Sequence, residues 1–200
     1  STKRIEADEP VIVSGVSDGV TNGSPLCVMF KNNNVRKEDY NKGILRPSHA
    51  DFTALTKHGK EVDISGGGHF SGRLMLPLCF AGAICLKLLE EKGIYIYARL
   101  KKIGNVSDDE DFELNDVKDK KFKVKNEAAA EEMKRLIDKA AAEKDSIGGV
   151  IECKIEGVRA GYGDPIFESV ESKIAHMMFS IPAIKGIEFG SGFSGSEKRG

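Results

Sequence analysis

Residues 71–92 restrict the possible fold more than any other stretch of this 200-residue chain. Leu74, Leu78, Ala81, Ile84, Cys85, Leu88 and Leu89 recur at spacings of three and four, the period of a helix, and apolar residues occupy nearly every side of it. Such a helix needs cover all round, so it is expected at the centre of a fold rather than on a surface. Pro77 predicts a kink or a late start, because proline lacks the amide proton and crowds the preceding turn. Gly93 is expected to end the helix.

The remaining pattern mixes strands and helices irregularly. Residues 11–16 and 26–31 read as strands, with the turn residues Asp18-Gly19 and Asn22-Gly23 between them, so a hairpin is expected. A long polar loop follows over 32–48, carrying Arg36 and Arg46. Residues 94–103 alternate as a strand does. The acidic run 108–111 and the basic run 118–125 read as solvated loop. Asn126 is placed to cap a surface helix over 127–143, with Met133, Leu136, Ile137, Ala140 and Ala141 on its apolar face. A strand over 146–158 and a helix over 167–179 complete the chain, the latter with Val170, Ile174, Met177 and Met178 inward. No internal repeat is visible, and the order fits a single α+β domain over residues 1–200 with mixed or antiparallel sheet.

Thirty basic and thirty-one acidic side chains leave a formal charge of -1, so no overall field draws the chain to nucleic acid or to an anionic membrane. No uninterrupted apolar run approaches the roughly 20 residues of a membrane span. Cys27, Cys79, Cys85 and Cys153 lack zinc-ligand spacing, and the histidines lack the i, i+4 pattern, so no metal is assigned. Without a visible signal peptide, the cysteines read as buried free thiols in a reducing cytoplasm.

Two segments carry chemistry. Gly66-Gly67-Gly68-His69-Phe70-Ser71-Gly72-Arg73 is expected to lead straight into the long helix and suits an anion: glycines let backbone amides converge, the helix start adds partial positive charge, Ser71 can donate, and Arg73 brings a fork of donors. A flexible loop with a helix cap is the equal alternative. Arg46-Pro47-Ser48-His49-Ala50-Asp51 places a cation, an imidazole and a carboxylate within six residues, and Asp51 is expected to orient or raise the pKa of the imidazole. Taken alone, that segment reads as a surface turn. Two glycine patterns are rejected. Gly15 to Gly19 spells a nucleophile elbow without its helix, and Gly190 to Gly195 spells a dinucleotide fingerprint with no helix after it.

These segments occur in a familiar order. Gly23-Ser24-Pro25-Leu26, Asp39-Tyr40, residues 46–51, residues 66–73, Asp145-Ser146-Ile147-Gly148-Gly149, residues 157–165 and residues 180–190 together resemble chorismate synthase from Thr2 almost to Gly200. The resemblance implies a sandwich of mostly antiparallel sheets with long helices buried between them, in a homotetramer. It implies a lyase that eliminates phosphate and a ring proton from 5-enolpyruvylshikimate 3-phosphate, using reduced FMN without net redox change. By the same resemblance His49 supplies a proton to the flavin, and Arg46, Ser71, Gly72 and Arg73 hold the substrate. His69, Phe70 and Ser71 stand at flavin-contacting positions.

The chain departs from that pattern at His69-Phe70, where the family commonly has Arg-Ser, and at Pro77. The opening Ser1-Thr2-Lys3-Arg4 and the Gly/Ser-rich stop at Gly200 read as truncated ends. By the resemblance, the family's amino-terminal segment, which carries a second histidine, is expected to be missing before Ser1, and its carboxyl-terminal flavin loops and aspartate to be missing after Gly200. The expectation is that these residues alone do not turn over substrate. The alternative is a non-catalytic anion-binding or scaffold protein that keeps the fold.

Overall fold

The computed structural model describes residues 7–33 and 44–199. Arg36, Asp39, Tyr40 and most of the expected polar loop lie outside the described residues, as do both chain ends. Contacts group the chain into two compact units, Ser1–Ala83 with Gly163–Gly200, and Ile84–Tyr162.

In the first unit, β1 (Pro10–Ser14) pairs antiparallel with β4 (Cys27–Phe30), with a bulge between Ile12 and Ser14. The short β2 (Val16–Ser17) and β3 (Val20–Thr21) form the tip between them. The expected hairpin is therefore present and nested. Asp18 and Gly19 both have positive φ, 51° and 78°, as the two central residues of a type I′ turn require. Gly15, at φ 90°, permits a close crossing: a Cβ there would sit 2.6 Å from the Leu26 Cα.

Helix α1 (Asp51–His58) was not legible as a helix, although its signals are local. An acidic residue opens it, Lys57 and His58 close it in accord with the helix dipole, and the Gly59 amide returns to the Leu55 carbonyl at 2.8 Å. Two 3-10 turns, Ser65–Phe70 and Gly72–Leu74, precede α2 (Met75–Glu90). The late start suits Pro77, whose missing amide proton falls in the first turn, where no helical partner exists. The glycine segment therefore does not run straight into the long helix. Gly93, at φ 73°, ends α2 in a Schellman motif, with Ile94 N–H on the Leu89 carbonyl and Gly93 N–H on that of Glu90, both at 2.9 Å.

The expected burial of α2 is not met within this chain, for none of its residues is buried and Leu88 is 53% exposed. Phe30 meets Phe80 edge to face at 6.0 Å, a contact that leaves most of a helix apolar all round without cover among the described residues. The 19-residue stretch Gly72–Glu90, mean hydropathy 1.7, is long and apolar enough to cross a membrane by length and composition. Helix α5 (Val170–Phe179) is capped by Ser169, but Met177 is half exposed rather than core. All four cysteines are free and exposed, which overturns their expected burial.

The second unit is an antiparallel sheet in the order β6 (Val106–Ser107), β5 (Tyr95–Ile103), β7 (Gly149–Glu156). Helix α4 (Glu127–Ala142), capped by the Asn126 side chain on the Ala129 amide at 2.9 Å, buries Ala130 and Met133 against Ile103 and Val124. Ile137 and Ala141 lie exposed, so its inward face is narrower than the sequence indicates.

The segment between β6 and α4 is not solvated loop. It contains α3 (Leu114–Val117), and Phe112, Val117 and Val124 are buried. The Asp108 carboxylate is buried too, accepting the amides of Lys125 at 2.8 Å and Asn126 at 3.1 Å and facing Arg99 at 3.3 Å. Arg99 also bonds Glu152 and stacks over Phe112 at 4.4 Å. Two lysines of the basic run donate to backbone carbonyls: Lys120 to Val124 and Lys125, Lys123 to Val117 and Lys118. The α+β class with antiparallel sheets is thus the observed one.

Candidate functional site

The site belongs to the first unit and is built from three chain segments. The segment before α1 is drawn into a closed loop by Asp51. Its carboxylate accepts the Arg46 backbone amide at 3.0 Å, Arg46 Nε at 2.9 Å and Arg46 Nη2 at 2.7 Å. Asp51 is only 3% exposed. The Arg46 guanidinium, through those hydrogen bonds, holds the Asp51 carboxyl down at about 2, against an ordinary 3.8. Within the loop Ser48 takes a positive φ of 60°, and the His49 amide returns to the Arg46 carbonyl at 3.4 Å.

The expected partnership of Asp51 with His49 is corrected: the carboxylate is taken by Arg46, and the imidazole Nδ1 lies 2.9 Å from the Pro47 carbonyl. A carbonyl can only accept, so Nδ1 carries the proton there. Nε2 is then the atom at which His49 can take up or release a proton.

The second segment is the glycine turn. Gly66, Gly67 and Gly68 all have positive φ, at 68°, 84° and 49°, a run that residues with a Cβ rarely adopt. It folds the chain back so that the Ser71 amide reaches the Gly68 carbonyl at 3.2 Å. The Ser71 hydroxyl oxygen accepts the Arg73 amide at 3.2 Å and caps the next turn, which leaves its hydrogen to donate. The third segment lies just before β1, beside the residue that follows β4. Asp8 pairs with Arg73 Nη2 at 2.9 Å, and the same nitrogen donates to the Lys31 carbonyl at 3.3 Å.

Arg46, His49, Phe70, Ser71, Gly72 and Arg73 line one cavity of about 580 Å³. That volume falls within the roughly 300–1,000 Å³ of small-molecule sites. His69 is exposed and does not line it. Asp8, Asp51, Met75, Leu76 and Cys79 complete the wall. Asp8 was invisible to sequence reasoning because 65 residues separate it from Arg73. Cys79, expected as a buried free thiol, lines the cavity.

Two guanidinium forks and a hydroxyl suit an anion with more than one charged group, and the imidazole adds a proton donor or acceptor. Phe70, 39% exposed, offers apolar surface of the kind a planar aromatic ring packs on. No cluster of His, Cys, Asp or Glu fit to hold a metal ion occurs among the described residues.

The family model for chorismate synthase matches residues 1–200. The chorismate synthase of Chitinophaga pinensis is 45% identical over 202 residues, covering 100% of this chain and 53% of its own length. That of Pyrococcus abyssi is 41% identical, covering 100% of this chain and 57% of its own. A crystal structure of chorismate synthase superposes with a TM-score of 0.73 at 26% identity, over 96% of this chain and 57% of that one. The chain spans about half the length of the curated relatives it matches.

Proposed function

Since this chain belongs to the chorismate synthase family, we propose that the protein carrying it converts 5-enolpyruvylshikimate 3-phosphate to chorismate by 1,4-elimination of phosphate. The observation that carries this reading is convergence. Arg46 and His49 from one loop and Ser71 and Arg73 from another line a single cavity.

In this reading Arg46 and Arg73 bind the phosphate and carboxylates of the substrate through charge-assisted hydrogen bonds. Each guanidinium is oriented by a carboxylate, Asp51 for one and Asp8 for the other, so the forks are fixed before the substrate arrives. Ser71 donates its hydroxyl hydrogen to the same anion, and Gly72 lets it approach the backbone. His49, held by the Pro47 carbonyl through Nδ1, delivers or removes a proton at Nε2. Reduced FMN would supply transient electron density to the substrate ring as phosphate leaves. Phe70 and Ser71 are the residues of this chain suited to hold it, while His69 stands outside the cavity. The family's homotetramer and cytoplasmic setting belong to the same proposal.

The test is chorismate formation, followed anaerobically by ultraviolet absorbance with reduced FMN, in the whole protein that carries this sequence. His49→Ala is expected to lower kcat by about 10²–10⁴-fold. Absence of chorismate from the wild type, with FMN and substrate bound, would favour an anion-binding scaffold instead.

A further inference from the structure

We infer that Asp51 is a positioning residue for this site: its buried carboxylate sets the direction of the Arg46 guanidinium and closes the loop that carries His49. The inference rests on the functional reading above and adds a residue to it.

Three hydrogen bonds converge on the one carboxylate. Oδ2 accepts both the Arg46 amide and Nε, and Oδ1 accepts Nη2. The backbone and the side chain of Arg46 are thereby tied to the same point, five residues on. A guanidinium is a rigid plane with five N–H donors, so fixing two of them fixes the direction of the rest. Lysine could not be held in this way, because a single ammonium carries no plane to orient.

The loop geometry has the same dependence. Between Arg46 and Asp51 the backbone passes through Ser48 at a positive φ, a conformation that costs free energy and needs surrounding contacts to hold it. Among the described residues, the side-chain hydrogen bond of His49 goes to Pro47, inside the same loop. What anchors the loop is Asp51, set in the first turn of α1, where Ala54 N–H closes on the Ala50 carbonyl at 2.8 Å. Two cavity residues thus depend on one carboxylate.

An opposing effect exists, since the Asp51 charge beside the cavity repels an anionic substrate. The bidentate pairing decides the sign: the carboxylate is neutralised by Arg46 at hydrogen-bond distance, whereas a displaced fork loses its aim. A misplacement of about 1 Å can cost on the order of 10²-fold in rate.

The experiment uses the whole protein carrying this chain and compares wild type, Asp51→Asn, Asp51→Glu, Arg46→Ala and Arg46→Ala/Asp51→Asn. Dissociation constants for 5-enolpyruvylshikimate 3-phosphate are measured by titration calorimetry, and kcat in parallel. Asp51→Asn is expected to weaken substrate binding at least tenfold, Asp51→Glu to recover part of it, and Asp51→Asn to add nothing in the Arg46→Ala background. A loss below tenfold overturns the inference, and so do additive losses, which would mean that Asp51 acts without Arg46. Should the Asp51 variants fail to fold, the Arg46 Nε–H resonance of the wild type decides: a downfield, slowly exchanging signal supports the clamp, and a solvent-averaged one refutes it. A wild type that neither binds nor converts the substrate defeats the functional reading instead, and that resonance still tests the clamp.

Discussion

Replacing Asp108 with Ala should destabilise the protein by about 4 kcal/mol, although sequence patterning places this residue in a solvated acidic run. Two short hydrogen bonds reach its carboxylate from the amides of Lys125 and Asn126, at 2.8 and 3.1 Å, and a third comes from Glu110 at 3.3 Å. Hydrogen bonds to a charged group contribute about 1.5–3 kcal/mol each, so the two short ones alone account for about 3–6 kcal/mol. Arg99, itself buried, loses the counter-charge 3.3 Å away but keeps Glu152, which limits the further loss. Breaking one side of a buried pair costs about 3–5 kcal/mol, consistent with that sum. Against a total stability of about 5–15 kcal/mol the effect is large. Urea denaturation followed by circular dichroism reads it, as a fall in midpoint of about 2 M for an m-value near 2 kcal/mol/M. Asp108→Asn keeps an oxygen for the Lys125 and Asn126 amides and should lose about half as much. An Ala variant within about 1 kcal/mol of wild type would refute the burial argument.

Asp51 is held near 2, below its ordinary 3.8, so the folded state binds its proton less readily than the unfolded chain. Its contribution is therefore complete above about pH 4 and is lost as pH falls through about 2. Thermal scans between pH 5 and 2 should show wild type losing more stability than Asp51→Asn, and parallel curves would contradict the sign. Gly15→Ala sets a Cβ 2.6 Å from the Leu26 Cα at a φ of 90°, and should cost more than about 1 kcal/mol by the same scans, with no effect on α4. Asn126→Ala removes the cap of α4 and should cost about 1 kcal/mol, measurable as faster amide exchange at Glu127 to Ala130. Arg73→Ala removes a cavity fork and should weaken substrate binding at least tenfold in calorimetry, with a smaller salt dependence than wild type.

The local elements were written in short-range chemistry. Asp18-Gly19 alone demands a tight turn because both backbones sit at positive φ, and Gly93 stops α2 for the same reason. Asn126 caps α4 from three residues away. The ordered motifs around Arg46, His49 and Arg73 were legible as a set, because each is a contiguous string whose chemistry is carried by its own letters. Tertiary structure decided the rest. That Asp51 serves Arg46 rather than His49, that Asp8 meets Arg73, that His69 stands outside the cavity and that Asp108 is buried all depend on distances through space. A charge run reads alike whether solvated or buried, since its cost in the interior depends on which distant amides and guanidinium groups the fold brings to it. The exposure of α2 follows the same logic: its apolar residues dictate a helix that wants cover, while the cover itself must come from surfaces the helix does not encode.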